Sequence, residues 1–244
     1  MEIVTILWKE MIFFRRKMFN IISAAMIQPL LYMIAFGWGL GSDVVIEGHS
    51  YMHFVVPGIV AMTTMNTSFS AISVRLNSMR LHDRSFEFYL TSPVNVRFLA
   101  LGFILSGVFR GMLAAAIVLF IAFIFGVYIH ITWGFVLICL LNSFLFSAFA
   151  YAAAMTINSH YDMNRFNTFV MVPMTFLCGT FFSLEKLPVF LHRAIMVLPL
   201  AQSTTALRAI ALGKEYSPVC LFVLLAYCIA FYVYSVRISR REIF

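Results

Sequence analysis

The chain has 244 residues, of which 62% are hydrophobic and only 11% charged. A soluble domain is nearer half apolar and about a quarter charged, so this composition, with a mean hydropathy of +0.94, excludes an ordinary soluble fold. The net charge is +7, and where the basic residues fall bears on orientation in a bilayer.

A span needs about 20 mostly apolar residues to cross roughly 30 Å of hydrocarbon. Windows free of Asp, Glu, Lys and Arg therefore mark the candidates. Residues 1–17 come before the first window. Ile3, Leu7, Met11 and Phe14 recur at helical spacing, opposite Glu2, Thr5, Lys9 and Arg16. Trp8 and the basic run Arg15, Arg16, Lys17 suit the headgroup layer, so this stretch reads as a helix lying on the membrane. A plain basic flank is the alternative. The first fourteen residues lack a long apolar core and a small-residue cleavage site, so no signal peptide is expected there. Spans one and two are placed at 18–42 and 54–74.

Between spans two and three the composition changes. Arg80, Asp83, Arg84 and Glu87 crowd together with His82, while Met79, Phe86 and Leu90 share the other side of a helical wheel. Arg80 with Asp83 and Arg84 with Glu87 are opposite charges at i,i+3 spacing. Ser92-Pro93 then has the pattern of an N-cap and first turn. A short amphipathic helix over 76–91 is expected, offering its charged face to a soluble partner. On spacing alone, a solvated loop whose charges only set topology stands equally well.

Span three is placed at 98–128. The apolar run Phe98 to Ile129 is 32 residues, about 48 Å as a helix, too long for one straight crossing. If the crossing ends near Tyr128 it begins near Arg110, which then snorkels to the cytoplasmic headgroups; otherwise Arg110 lies inside the span, in the pathway. Spans four to six follow at 133–157, 166–184 and 216–236. The intervening 185–213 stretch is semi-apolar but carries Lys186, Arg193 and Arg208, with Pro188 and Pro199 dividing it. It reads as an external helical hairpin dipping part-way into the outer leaflet, like a re-entrant loop, because arginine at the membrane centre costs about 2.5–3.5 kcal/mol. A surface loop is the alternative. The fold class expected is thus all-α: one transmembrane domain of six helices, with an interfacial helix, a cytoplasmic helix and an external hairpin.

Twelve of the seventeen basic residues fall in the N-terminus, the 75–97 and 158–165 loops and the C-terminal tail. The gaps 43–53 and 126–132 hold none. The positive-inside rule then places both termini and the charged helix in the cytoplasm.

Several chemistries are missing from the sequence. There is no GxxxxGK[ST] phosphate loop, so the chain is not expected to bind ATP itself. There is no HExxH motif and no carboxylate pair within spans, which argues against a metal site, catalytic residues and an intramembrane protease. Cys139, Cys178, Cys220 and Cys228 lie in or beside apolar runs and read as buried thiols. The chain thus moves or binds something without an energy source of its own: energy comes from a partner, or any movement is passive.

Two stretches resemble a known family, the permease subunits of type-2 ABC exporters, bacterial six-span proteins that export drugs, lipo-oligosaccharides or polysaccharides. In FEFYLTSPVNVRFLALG, Glu87, Leu90, Thr91, Pro93 and Val94 match the segment after span two. In FLCGTFFSLEKLPVFLHRAIMVLPLAQSTTALRAIALG, Gly179, Phe182, Leu187, Pro188, Pro199, Ala206, Leu207 and Arg208 match the signature after span five. Ser85, Ser183 and Leu198 depart from the common Gly-Thr, Pro and Asn. The resemblance implies a bacterial inner-membrane protein that pairs with a second copy and moves cargo out of the cytoplasm. It implies a separate ATPase subunit that holds ATP and Mg and grips a coupling helix, with Arg80, Asp83, Arg84, Glu87, Leu90 and Pro93 as the docking residues. Pro188, Pro199 and Arg208 would then shape the exit hairpin. Tyr32, Phe36, Phe176, Phe181 and Phe182 are candidates for an aromatic path for amphipathic or lipid-linked cargo; packed or lipid-facing aromatics are the alternative. No nucleic-acid partner is expected. A passive channel or membrane scaffold without ATP coupling is the competing function.

Overall fold

The computed structural model describes residues 2–39, 45, 46, 49–82, 86, 88 and 95–243. Nine helices carry the described chain: α1 (Glu2–Met33), α2 (Tyr51–Leu81), α3 (Val96–Ile124), α4 (Trp133–Thr156), α5 (His160–Phe166), α6 (Val172–Leu177), α7 (Val189–Met196), α8 (Pro199–Ala211) and α9 (Pro218–Ile243). π-helical turns extend α1 over Ile34–Gly39 and join α5 to α6 over Asn167–Met171. One small antiparallel pairing, Val45–Ile46 with His49–Ser50, precedes α2.

Four helices, α2, α3, α4 and α9, are long and apolar enough to cross a membrane. Counting each of two bent pairs as one span raises the total to six. The first bent pair lies within α1: Thr5–Arg16 turns by 82° into Ile21–Phe36, so the stretches read as a surface helix and a first span are one folded rod. The second is α7 with α8, bent by 97°. The α5–α6 run is 18 residues, about 27 Å at 1.5 Å per residue, interrupted by its π-turn.

α2 is the central helix and packs against α3, α4 and α8. Close approach of α3 depends on Gly107 and Gly111, one turn apart. A methyl at Gly111 would sit 2.1 Å from Ser68 Oγ and 2.5 Å from Ser143 Oγ. Small residues at four-residue spacing are how helices gain contact in a membrane, where hydrophobic burial drives little association. Large side chains fill the rest, among them Phe69, Phe103, Phe146 and Tyr151, all essentially buried.

Polar groups inside the bundle join helices. The Asn142 amide (α4) donates to Ala61 O at 2.9 Å and Thr64 Oγ1 at 2.7 Å (α2), and Ser203 (α8) donates to Asn142 Oδ1 at 2.8 Å. On the other side of α4, Ser235 of α9 donates to Ala148 O at 2.9 Å, and Tyr151 and Ser239 share a hydrogen bond of 2.9 Å. Each bond satisfies a group that hydrocarbon cannot solvate.

The hairpin enters the bundle through α8, not α7. Pro199 starts α8, and Leu200, Ala201, Ser203, Thr204, Ala206 and Leu207 are buried. Pro188 precedes α7, whose Val189 and Phe190 are exposed.

Candidate translocation groove and its two ends

A groove of about 700 Å³ runs between α1 and α2. Its α2 wall carries a polar stripe, Thr63, Asn66, Thr67, Ser70, Arg75 and Ser78, beside Ala71 and Val74. Its α1 wall is Ile21, Ala25, Gln28 and Pro29. A row of hydroxyls and amides at three- and four-residue spacing on a membrane helix needs water, protein or a polar ligand to face it. The sequence reading passed over this stripe because Thr and Ser carry no charge and do not interrupt an apolar window.

At one end the groove meets an aromatic cluster. Gln28 Nε2 donates to Tyr32 Oη at 3.1 Å. Phe181 is the hub: its ring stacks on Phe36 with centroids 4.4 Å apart, and lies 5.1 Å from Tyr32 and 6.0 Å from Phe176. Four of the five predicted path aromatics are therefore one cluster, which also uses the π-turn that carries Phe36. Phe182 is half-buried beside them in the chain. Tyr51 Oη donates to Phe181 O at 2.7 Å.

Arg208 holds the turn that carries Phe181. Its Nε donates to Phe54 O at 3.1 Å, and its Nη2 to Gly179 O at 2.7 Å and Thr180 O at 3.3 Å. The guanidinium carbon also lies 3.6 Å from the centre of the Phe54 ring. One planar cation thus ties α8 to the first turn of α2 and to the 178–183 turn, a fork geometry that lysine lacks. Gly58 lets that turn close on α2, since a methyl there would meet Thr180 O at 2.7 Å.

At the opposite end the groove is lined by Arg75 and Arg110. Arg110 does not snorkel to water. It is buried, 3.5 Å from Glu10 Oε2, while Arg75 Nε is 3.3 Å from Glu10 Oε1. The sequence reading missed Glu10. Of the membrane face expected there, Phe14 is buried in the bundle together with Ile6 and Glu10, while Met11 stays exposed, as a residue facing lipid would. The demand of two arginines for a counter-charge turns the helix this way. Glu10 four residues after Ile6 and four before Phe14 is the signal that was available.

The predicted docking residues divide. Asp83, Arg84, Glu87, Leu90 and Pro93 lie outside the described residues. Arg80 is described and turns inward: Nη1 donates to Ala154 O at 2.5 Å and Nη2 to Asn158 Oδ1 at 3.2 Å. It caps the C-terminus of α4, where a cation satisfies an end carbonyl. Asn77 supports it, donating to Ile157 O at 3.3 Å. Met79 and Phe86 are buried, while Phe88 is exposed. The N-cap of α3 is Asn95, whose side chain accepts from Arg97 N at 3.1 Å, so the helix begins at Val96, past the Ser92-Pro93 start read from the sequence.

Comparison with known proteins bears on this architecture. A family model described as ABC-2 type transporter matches residues 1–212. The inner membrane transport permease YadH of Escherichia coli K12 is 30% identical over 237 residues, covering 96% of this chain and 92% of that protein. Nodulation protein J of Rhizobium meliloti 1021 is 29% identical over 223 residues, covering 88% of this chain and 84% of that one. Nodulation protein J of Rhizobium leguminosarum bv. viciae is 27% identical over a similar length. The chain spans nearly the full length of these relatives, and its apolar helices, bent pairs and buried polar ties are those of an integral membrane protein. It belongs to the ABC-2 type transporter family, the membrane subunits of ABC transporters.

Proposed function

We propose that this chain is the permease subunit of an ATP-driven exporter of the bacterial inner membrane, paired with a second copy of itself and powered by a separate ATPase. The observation that carries the reading is the open polar groove on α2, capped at one end by the Phe181 cluster. A groove of this volume exposed on the side of a single chain is half of a passage, which a second copy completes. Its mixed lining suits an amphipathic or lipid-linked cargo, with hydroxyls and amides for a polar head and aromatic faces where a sugar or a chain can stack. The similarity to an inner membrane transport permease supports the location.

In this reading both termini and the 82–95 segment face the cytoplasm. The ATPase holds ATP and Mg and closes on that segment, with Asp83, Arg84, Glu87 and Leu90 at the contact and Arg80 fixing the end of α2 behind it. Closure moves the lower end of α2, opens the groove inward or outward, and displaces Phe181. Pro188, Pro199 and Arg208 set the shape of the exit.

The test is reconstitution with the ABC ATPase subunit that copurifies with the chain. Glu87→Arg is expected to leave the chain inserted and the ATPase active while transport of a fluorescent lipo-oligosaccharide is lost. Normal transport by that variant would refute docking at this segment. Transport by the purified chain alone in liposomes would establish the passive channel instead.

A further inference from the structure

We infer that Glu10 is a positioning residue that locks the N-terminal arm of α1 to both helices bordering the 82–95 segment; its role in transmission rests on the proposed ATPase docking, while the lock itself is read from geometry. The arm, Thr5–Arg16, lies across the basic end of the bundle after the 82° bend. Apolar contacts seat it on α3: Ile6 against Gly102, where a methyl would come within 3.0 Å, and Phe14 edge-on to Phe109 with centroids 5.9 Å apart. Glu10 stands between those contacts and is only 3% exposed. A surface helix can turn an acid to water at no cost, so an acid turned inward marks a specific partner.

There are two partners, on two helices. Arg75 stands six residues before the end of α2, and Arg110 lies within α3, so the carboxylate spans both. Its distances of 3.3 and 3.5 Å both exceed the roughly 2.7–2.9 Å of a tight charge-assisted pair. The charge is shared, and a shear of α2 against α3 shifts its balance from one arginine to the other. The arm continues through its bend into Ile21, Ala25 and Gln28, the α1 wall of the groove. Glu10 therefore carries a displacement of α2 into the wall that faces it.

The test uses the full-length permease in nanodiscs, with the buried native cysteines replaced by alanine. Nitroxides at the exposed positions Lys9→Cys and His82→Cys report the distance between the arm and the end of α2 by pulsed EPR. The parent is expected to give one narrow distance distribution. Glu10→Gln keeps the shape but removes the charge, and is expected to lose the narrow peak; Glu10→Asp keeps the charge and is expected to retain it. A narrow peak in Glu10→Gln overturns the inference, and so does an equally broad distribution in Glu10→Asp, which would mean that volume is what matters. If Glu10→Gln does not fold, Arg75→Gln removes the same link from the other side and is held to the same outcome. A separate pair, His82→Cys with Trp133→Cys, is measured with the ATPase and ATP plus vanadate. No change there refutes docking and leaves the Glu10 result standing.

Discussion

Gly58→Ala tests whether the turn carrying Phe181 is seated by close backbone approach. The added methyl would lie 2.7 Å from Thr180 O and 3.0 Å from Thr180 Cα, where ordinary contact begins at 3.4 Å. The turn must therefore retreat by about 0.7 Å, the difference between 3.4 and 2.7. Backbone cannot swing aside as a side chain can, and Arg208 holds both neighbouring carbonyls. Overpacking of this kind costs about 1–3 kcal/mol. At roughly 2–4 °C per kcal/mol for a chain of this size, the melting temperature should fall by about 2–12 °C. A thiol-reactive dye gives the readout, because all four cysteines are buried and react only on unfolding. Gly134→Ala is the matched control: the same change in a helix where the nearest neighbour to the new methyl is 3.5 Å away. It should hold or raise the melting temperature, since alanine lowers the entropy of the unfolded chain by about 0.4–1 kcal/mol. A Gly58→Ala protein that melts at or above the parent would refute the close-approach reasoning.

Asn142→Ala should leave Ser203 only its bond to Pro199 O and remove the polar tie of α8 and α4 to α2; interhelical bonds in membranes average about 0.6 kcal/mol, so the three together predict a loss of roughly 1–2 kcal/mol in the same melting assay. Arg208→Lys keeps the charge but cannot reach three carbonyls at once, and should make the 178–183 turn of the purified protein in nanodiscs more sensitive to added protease than in the parent. Arg80→Ala removes the cation at the C-terminus of α4 and should lower stability by about 0.3–1 kcal/mol in the permease alone; a variant that melts normally but fails to capture the ATPase would make Arg80 a docking residue instead.

Long apolar windows made the four membrane-length helices α2, α3, α4 and α9 legible, because hydrocarbon tolerates few ionised groups; the window at 166–184 falls instead on short helical pieces joined by a π-turn. The bend in α1 was half legible: the basic run at Arg15–Lys17 announced a change of environment, but periodicity alone did not show that helix continues through it. Phe181 was legible as a path candidate by residue type, and its neighbours Tyr32 and Phe36 come from a distant part of the chain, so their stacking is a product of packing. Arg80 illustrates the limit. Its spacing with Asp83, which lies outside the described residues, gave no hint that its guanidinium also donates to the carbonyl of Ala154, 74 residues away. Glu10 and Asn142 were hidden for the same reason: a single polar residue in a helix says nothing of who stands opposite until the neighbouring helices are in place.

The short buried helix α8 bears on biogenesis. At thirteen residues, about 20 Å, it cannot cross the bilayer, and it owes its depth to a seat built by α2 and α4. Those two helices leave the ribosome before it, and α9, which also packs against it, leaves after it. Docking of α8 is therefore a late maturation step: a nascent chain stalled before that step would present an unseated amphipathic hairpin, the kind of surface a membrane protease or chaperone can read as unfinished.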